Sequence, residues 1–135
     1  MTYLKLIHVL NIINKYKKSK LPQKLCYAIT RNYLSLNKEY EVYRETLKKV
    51  MDSFESYFER DENGNPVVNG NGVPVISNEE VAKEMDTQIV ELLNTEIDID
   101  IYTVEFDMFN YDDKGIYDVL SMEDIIELSL VLCKM

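Results

Sequence analysis

The apolar positions of this chain fall into periodic runs divided by turn-rich stretches. In the first run Tyr3, Leu6, Ile7, Leu10, Ile13 and Lys17 recur at the spacing of one helix face, and Leu4, Val9, Ile12 and Tyr16 widen the stripe. The pattern predicts a helix over 2–19 that touches more than one neighbour. Leu21-Pro22 stops it, because a residue before proline avoids helical angles while proline suits a first helical position. The second run is the strongest in the sequence. Cys26, Ile29, Tyr33, Leu36, Tyr40, Tyr43, Leu47, Val50, Phe54 and Tyr57 advance by alternating steps of three and four, with no Gly or Pro between them. This heptad seam predicts a helix from Pro22 to Phe58, about 55 Å long at 1.5 Å per residue. Four seam positions are tyrosine, whose hydroxyl needs a partner, so the seam opens to water in places and differs from a Leu/Ile zipper.

Beyond the seam, Asp61 to Pro66 and Asn69 to Gly72 are turn signals flanking Val67-Val68 and Val73 to Ile76, which predicts a small β-hairpin within 60–77. Ser77 with Glu80 reads as a capping box opening a third helix that runs to about Asn94 on Val81, Met85, Ile89 and Leu92. Ile97, Ile99, Ile101 and Thr103 then alternate with Asp98, Asp100, Tyr102 and Val104, the period of a strand. Ser121 caps a last helix from Met122 to Cys133. The expected fold is mainly α. A long central helix lies in an antiparallel helical hairpin or bundle, with a β-hairpin at its tip and one short strand near the C-terminal helix. The whole, 1–135, reads as a single elongated helical domain with 60–77 as an appendage. The first and third helices together nearly match the central one in length, so an intramolecular hairpin accounts for the heptads, and a homodimer is permitted without being required.

Charge divides the chain. Residues 1–50 hold eleven Lys/Arg against three Asp/Glu, while 51–135 hold four against twenty-one, which together give the net −9. The preferred reading is that the halves fold against each other with complementary fields, the acidic third helix meeting Arg44, Lys48 and Lys49. The N-terminus lacks the layout of a signal peptide and no apolar run reaches the ~20 residues of a membrane span, so a cytoplasmic, non-membrane protein is expected. Cys26 and Cys133 match no metal or redox spacing and read as buried free thiols.

Little catalytic equipment is present. His8, the single histidine, lies within an amphipathic helix with nothing nearby to build a triad, and one His with two distant Cys makes no zinc site. Asp61-x-Asn63-x-Asn65 begins like a calcium loop but puts Pro66 where glycine is needed and Gly72 where a bidentate Glu is needed. Neither a metal nor a cofactor is expected. Three sets of polar residues are candidates for contact instead: the turn asparagines Asn63, Asn65, Asn69 and Asn71; the carboxylates Glu96, Asp98 and Asp100 on one strand face; and the basic set Lys15, Lys17, Lys18, Lys20, Lys24 and Arg31, with Tyr16, Tyr27 and Tyr33 between. The last is the kind of patch that grips nucleic acid, but the acidic remainder and a pI near 4.6 disfavour it.

The stretch Leu21-Pro22-Gln23-Lys24-Leu25-Cys26-Tyr27-Ala28-Ile29-Thr30-Arg31-Asn32, with Asp61 to Pro66 and Glu96 to Ile101 further on, resembles an uncharacterised family of small proteins encoded by phages and prophages of Gram-positive bacteria. Cys26 stands where a serine-like residue is expected. The resemblance implies a phage or prophage origin and no catalytic residues. With the absence of catalytic motifs it implies a non-enzymatic accessory protein that binds a host or phage protein, for instance a host enzyme or a defence complex of nuclease or CRISPR type. A virion structural or assembly role and nucleic-acid binding are the competing expectations.

Overall fold

Four α-helices carry the described residues, 1–133, of the computed structural model: α1 (Tyr3–Lys15), α2 (Gln23–Asp52), α3 (Glu79–Leu93) and α4 (Met122–Leu132). Two 3-10 turns, Glu55–Tyr57 and Phe106–Phe109, supplement them, and no strand occurs among the described residues. The protein is mainly α. Its chain divides into two compact units, one formed by residues 1–40 with the segment from Glu96 onward, the other by Glu41–Thr95; α2 contributes to both.

In the first unit, the Thr2 hydroxyl caps α1 by accepting from the Lys5 amide. The wide apolar stripe is used on two sides. Leu6, Val9, Leu10, Ile12 and Ile13 are buried, Lys5 and Lys15 reach Glu127 and Asp124 around α4, and the Tyr3 hydroxyl reaches Glu39 on α2 at 2.7 Å. Each fully buried Leu in this core (Leu6, Leu25, Leu36, Leu128 and Leu132) contributes roughly 1.5–3 kcal/mol through burial. The buried face of α2 is Leu25, Ala28, Ile29, Asn32 and Leu36. A straight helix of 3.6 residues per turn drifts off a strict 3.5 seam, so the seam's first member, Cys26, emerges exposed and not buried as expected.

The expected strand at 97–104 is not formed. Its backbone groups find other partners: the Ile97 amide donates to the Met1 carbonyl, Tyr102 pairs with the side chain of Asn32, and the Val104 amide donates to the Leu132 carbonyl. With no single neighbour running alongside, the segment forms no ladder, leaving at its two ends the isolated bridges Thr2 to Glu96 and Val104 to Cys133. Alternation predicted a strand, and burial follows it from Ile97 to Ile101 before breaking at exposed Thr103 and buried Val104; a ladder needs a partner that periodicity does not supply.

In the second unit α2 ends at Asp52, six residues short of the expected Phe58. The Ser53 hydroxyl bonds the Val50 carbonyl and the Phe54 amide makes a tighter bond to Met51, turning Phe54 into a cluster with Ile76 and Met85. α3 is capped by Asn78, not Ser77. The Asn78 side chain accepts from the Glu80 and Val81 amides, while the Ser77 hydroxyl is drawn to Glu59. Arg44 pairs with Glu41 on its own helix at 3.2 Å.

The expected β-hairpin does not form a ladder either. Residues 60–67 and 68–75 are tandem eight-residue repeats, matching Asp61 with Asn69, Asn63 with Asn71, Gly64 with Gly72 and Pro66 with Pro74. In each, the first side chain accepts from the amides two and four residues on, and the glycine takes a positive φ, +80° and +76°. The Glu59, Val67 and Val75 positions, eight residues apart, then close a ring of three backbone bonds: Glu59 donates to Val75, Val67 to Glu59 and Val75 to Val67. A ring of three short pieces cannot lengthen into a ladder, and a proline in each repeat limits it further.

Candidate functional site

The residue that organises the site is polar and wholly buried. Asn32, in the middle of the core face of α2, is 0% exposed. Its amide nitrogen donates to the Ala28 and Tyr102 carbonyls, each at 2.9 Å, and its oxygen accepts from the Tyr102 amide at 2.8 Å. One side chain thus imitates a neighbouring strand and pins the 97–104 segment to the helix. Because buried polar groups are costly when unpaired, this double bond fixes Tyr102 in position.

Three side chains then assemble in the open. The Tyr27 ring meets Tyr102 edge to face at 5.5 Å and 85°. The Arg31 guanidinium lies 5.1 Å from the centre of the Tyr102 ring and donates to the Tyr27 hydroxyl at 3.1 Å. Spacing along α2 explains the pairing, since Tyr27 and Arg31 are four residues apart and share a face. Beside them opens a hollow of about 400 Å³ lined by Arg31, Ser35, Asp100, Ile101, Tyr102 and Thr103. Among the described residues no carboxylate comes within 4.0 Å of Arg31. In a chain of net −9 this guanidinium lies over one aromatic ring, is bonded to one phenol and forms no ion pair among the described residues.

A second polar cluster holds α4 in place. Asp124, 4% exposed, accepts from Lys15 at 2.8 Å and from the Tyr16 hydroxyl at 2.5 Å, and its own amide donates to the Ser121 cap. The Lys15 bond, with help from Tyr16, holds the Asp124 carboxyl below the ordinary carboxylate range and raises Lys15 in return. Glu127 is likewise lowered by Lys5, and His8 stands 3.3 Å from it while 54% of its side chain is exposed. Burial, with Glu39 adding to it, pushes Tyr3 up to about 12.

The candidate residues separate into those the fold brings together and those it does not. Arg31, from the basic set, and Asp100, from the acidic one, line the same hollow. Lys15 is committed to Asp124 and Lys17 lies 5.0 Å over the Tyr33 ring, whereas Lys18, Lys20 and Lys24 are exposed. Glu96 pairs with the N-terminal ammonium at 3.0 Å, and Asp98 is exposed. Asn63, Asn65, Asn69 and Asn71 are exposed in the repeat turns, Asn69 serving as a turn acceptor itself. Asp61 directs an oxygen to the Asn63 and Asn65 amides inside its own turn. Sequence reasoning missed Asn32 and Tyr102. The signal for Asn32 was a lone amide at helical spacing within Leu25, Ala28, Ile29 and Leu36; Tyr102 had none.

No family model, curated protein or solved structure matches the chain.

Proposed function

We propose that the protein is a non-enzymatic binding module of phage or prophage origin. It works in the cytoplasm of a bacterial host by occupying a surface of a host or phage protein, such as a host enzyme or a nuclease- or CRISPR-like defence complex. One observation carries this reading: Arg31, Tyr27 and Tyr102 form an exposed, mutually ordered trio beside a polar hollow. Tyr and Arg are the residues that dominate protein interfaces, because they offer large rigid area and directed donors at little entropic cost. Tyr27 is 53% and Tyr102 39% exposed, so both have area left to bury. The hydroxyls of Ser35 and Thr103 and the Asp100 carboxylate supply the polar rim. The commitment of Lys15 to Asp124 weakens the lysine set as a phosphate track.

The test is affinity capture from host lysate with the wild-type chain and with Arg31→Ala. A partner held by the wild type should be weakened at least tenfold by Arg31→Ala, as expected for loss of an interface anchor of about 2 kcal/mol. Equal capture by both chains sinks the reading at this site. Recovery of the protein from purified particles would move the role to virion assembly.

A further inference from the structure

The first members of the heptad seam, Cys26, Ile29 and Tyr33, line a hollow of about 320 Å³. Leu34 extends that wall along α2, and Ile13 and Leu21, from α1 and the turn after it, close the other side. Cys26 is exposed, and Leu34 is 64% exposed at the rim. The hollow shares no lining residue with the one beside Arg31, so the two can be tested apart. A concave, mainly apolar site with few polar groups is the usual form of a small-molecule site, and this one sits at the lower end of the roughly 300–1,000 Å³ such sites occupy. At about 30 Å³ for a water-sized group, it admits about ten non-hydrogen atoms.

Charge selects the head group of the occupant. Lys17 is the single charged side chain of the lining. Its ammonium lies 5.0 Å from the centre of the Tyr33 ring, and among the described residues no carboxylate comes within 4.0 Å of it. The surrounding sequence has the same sign. Residues 15–34, which supply all of the lining except Ile13, carry Lys15, Lys17, Lys18, Lys20, Lys24 and Arg31 and no Asp or Glu. The carboxylates that approach from the C-terminal segment bear on other groups: Asp124 and Glu123 on Lys15, and Asp118 on the Lys20 amide and, with Asp113, on Tyr111. None of these four lines the hollow. With Lys15 set against Asp124 and Lys20 against Asp118, the turn after α1 still keeps Lys17 and Lys18 in surplus. A cationic occupant would meet a like charge, and a neutral one would leave the ammonium without an acceptor. An aliphatic chain ending in a carboxylate suits both the wall and Lys17.

We infer that this hollow binds a short-chain aliphatic carboxylate, with its hydrocarbon laid against Ile13, Ile29 and Leu34 and its head at Lys17. The probe is octanoate, with octan-1-ol and octylammonium as counterparts that keep the chain and change the head. Each is titrated against the full chain and followed by amide NMR shifts. Octanoate should move the Cys26, Thr30 and Tyr33 amides saturably, and both counterparts should bind at least threefold more weakly, octylammonium weakest. Saturating octanoate should slow alkylation of Cys26 by N-ethylmaleimide at least tenfold and leave Cys133 unchanged. Lys17→Gln should weaken octanoate at least threefold, the upper part of the range for one solvent-accessible ion pair, without changing octan-1-ol. Leu34→Asn should weaken both. The replaced side chains are exposed, so the variants should melt with the wild type. Four results overturn the inference: no saturable binding of octanoate, octylammonium binding as tightly as octanoate, equal octanoate affinity in wild type and Lys17→Gln, or octanoate binding that leaves the Cys26 amide and its alkylation unaltered.

Discussion

At the scale of single residues, two buried polar groups do what the surrounding apolar core cannot. Asn32 supplies direction, joining α2 to the Tyr102 backbone through one donor and one acceptor. Asp124 supplies attachment, drawing Lys15 and Tyr16 to the first turn of α4. A carboxyl whose folded pKa is depressed stabilises the fold fully above its ordinary value of 3.8, and that contribution is lost as the pH falls through the lower folded value. Asp124→Asn should therefore cost about 2 kcal/mol at neutral pH, the worth of charge-assisted hydrogen bonds lost at a buried site. It should also flatten the acid limb of the stability curve below pH 4. Urea titrations of both proteins from pH 2.5 to 7 measure this; parallel curves would assign the acid sensitivity to other carboxylates, Glu127 first. Capping shows what one residue's identity can and cannot reveal. Ser121 was legible and caps α4. Ser77 and Asn78 stand side by side with equal credentials, and the choice is made by Glu59, eighteen residues back, which takes the Ser77 hydroxyl.

At the scale of elements, periodicity identified the four helices of the described residues and ran past the ends of two, α1 and α2. The seam continues through Phe54 and Tyr57, yet α2 closes at Asp52 because Phe54 turns into the cluster with Ile76 and Met85. Hydrophobic spacing records which side chains want burial; it does not record that burial is better met by leaving the helix. The repeat region was legible as turns and illegible as a ring, since three pieces eight residues apart join only through backbone bonds that no side-chain pattern encodes. Its glycines give a paired prediction. Gly72, at φ +76°, has nothing within 4 Å of an added Cβ, so Gly72→Ala acts through backbone strain alone and should cost about 1 kcal/mol. Gly70 has equal space and no positive φ, so Gly70→Ala should be neutral or stabilising by up to about 1 kcal/mol. Thermal melts of the two variants check the contrast. Equal losses would show that the turns depend on something other than φ.

At the scale of the whole molecule, stability is unevenly shared. Among the described residues fifteen of the nineteen buried hydrophobic ones belong to the unit of residues 1–40 and Glu96 onward, and Tyr43, Phe54, Ile76 and Met85 to Glu41–Thr95. The candidate site at Arg31 stands on the well-filled unit, which suits a surface that must keep its geometry. The charge split along the sequence pointed to complementary halves. Among the described residues the ion pairs that join distant positions do link basic half to acidic half, Lys5 with Glu127, Lys15 with Asp124 and the N-terminus with Glu96, all inside this unit, while Arg44 pairs on its own helix with Glu41. The second unit rests on the cluster of Phe54, Ile76 and Met85, in which Met85 is the most deeply buried side chain. Met85→Ala should cost 2–5 kcal/mol, roughly the range for such truncations in cores. Local opening follows the weakest packing, so amide exchange in α3 and in 54–76 should accelerate at least thirtyfold in this variant. The amides of Leu6 to Ile13 and Leu128 to Leu132 should change by less than threefold. Hydrogen-exchange mass spectrometry on wild type and Met85→Ala reads both segments at once. Acceleration of equal size throughout would mean that α2, shared by the two units, makes them unfold as one body.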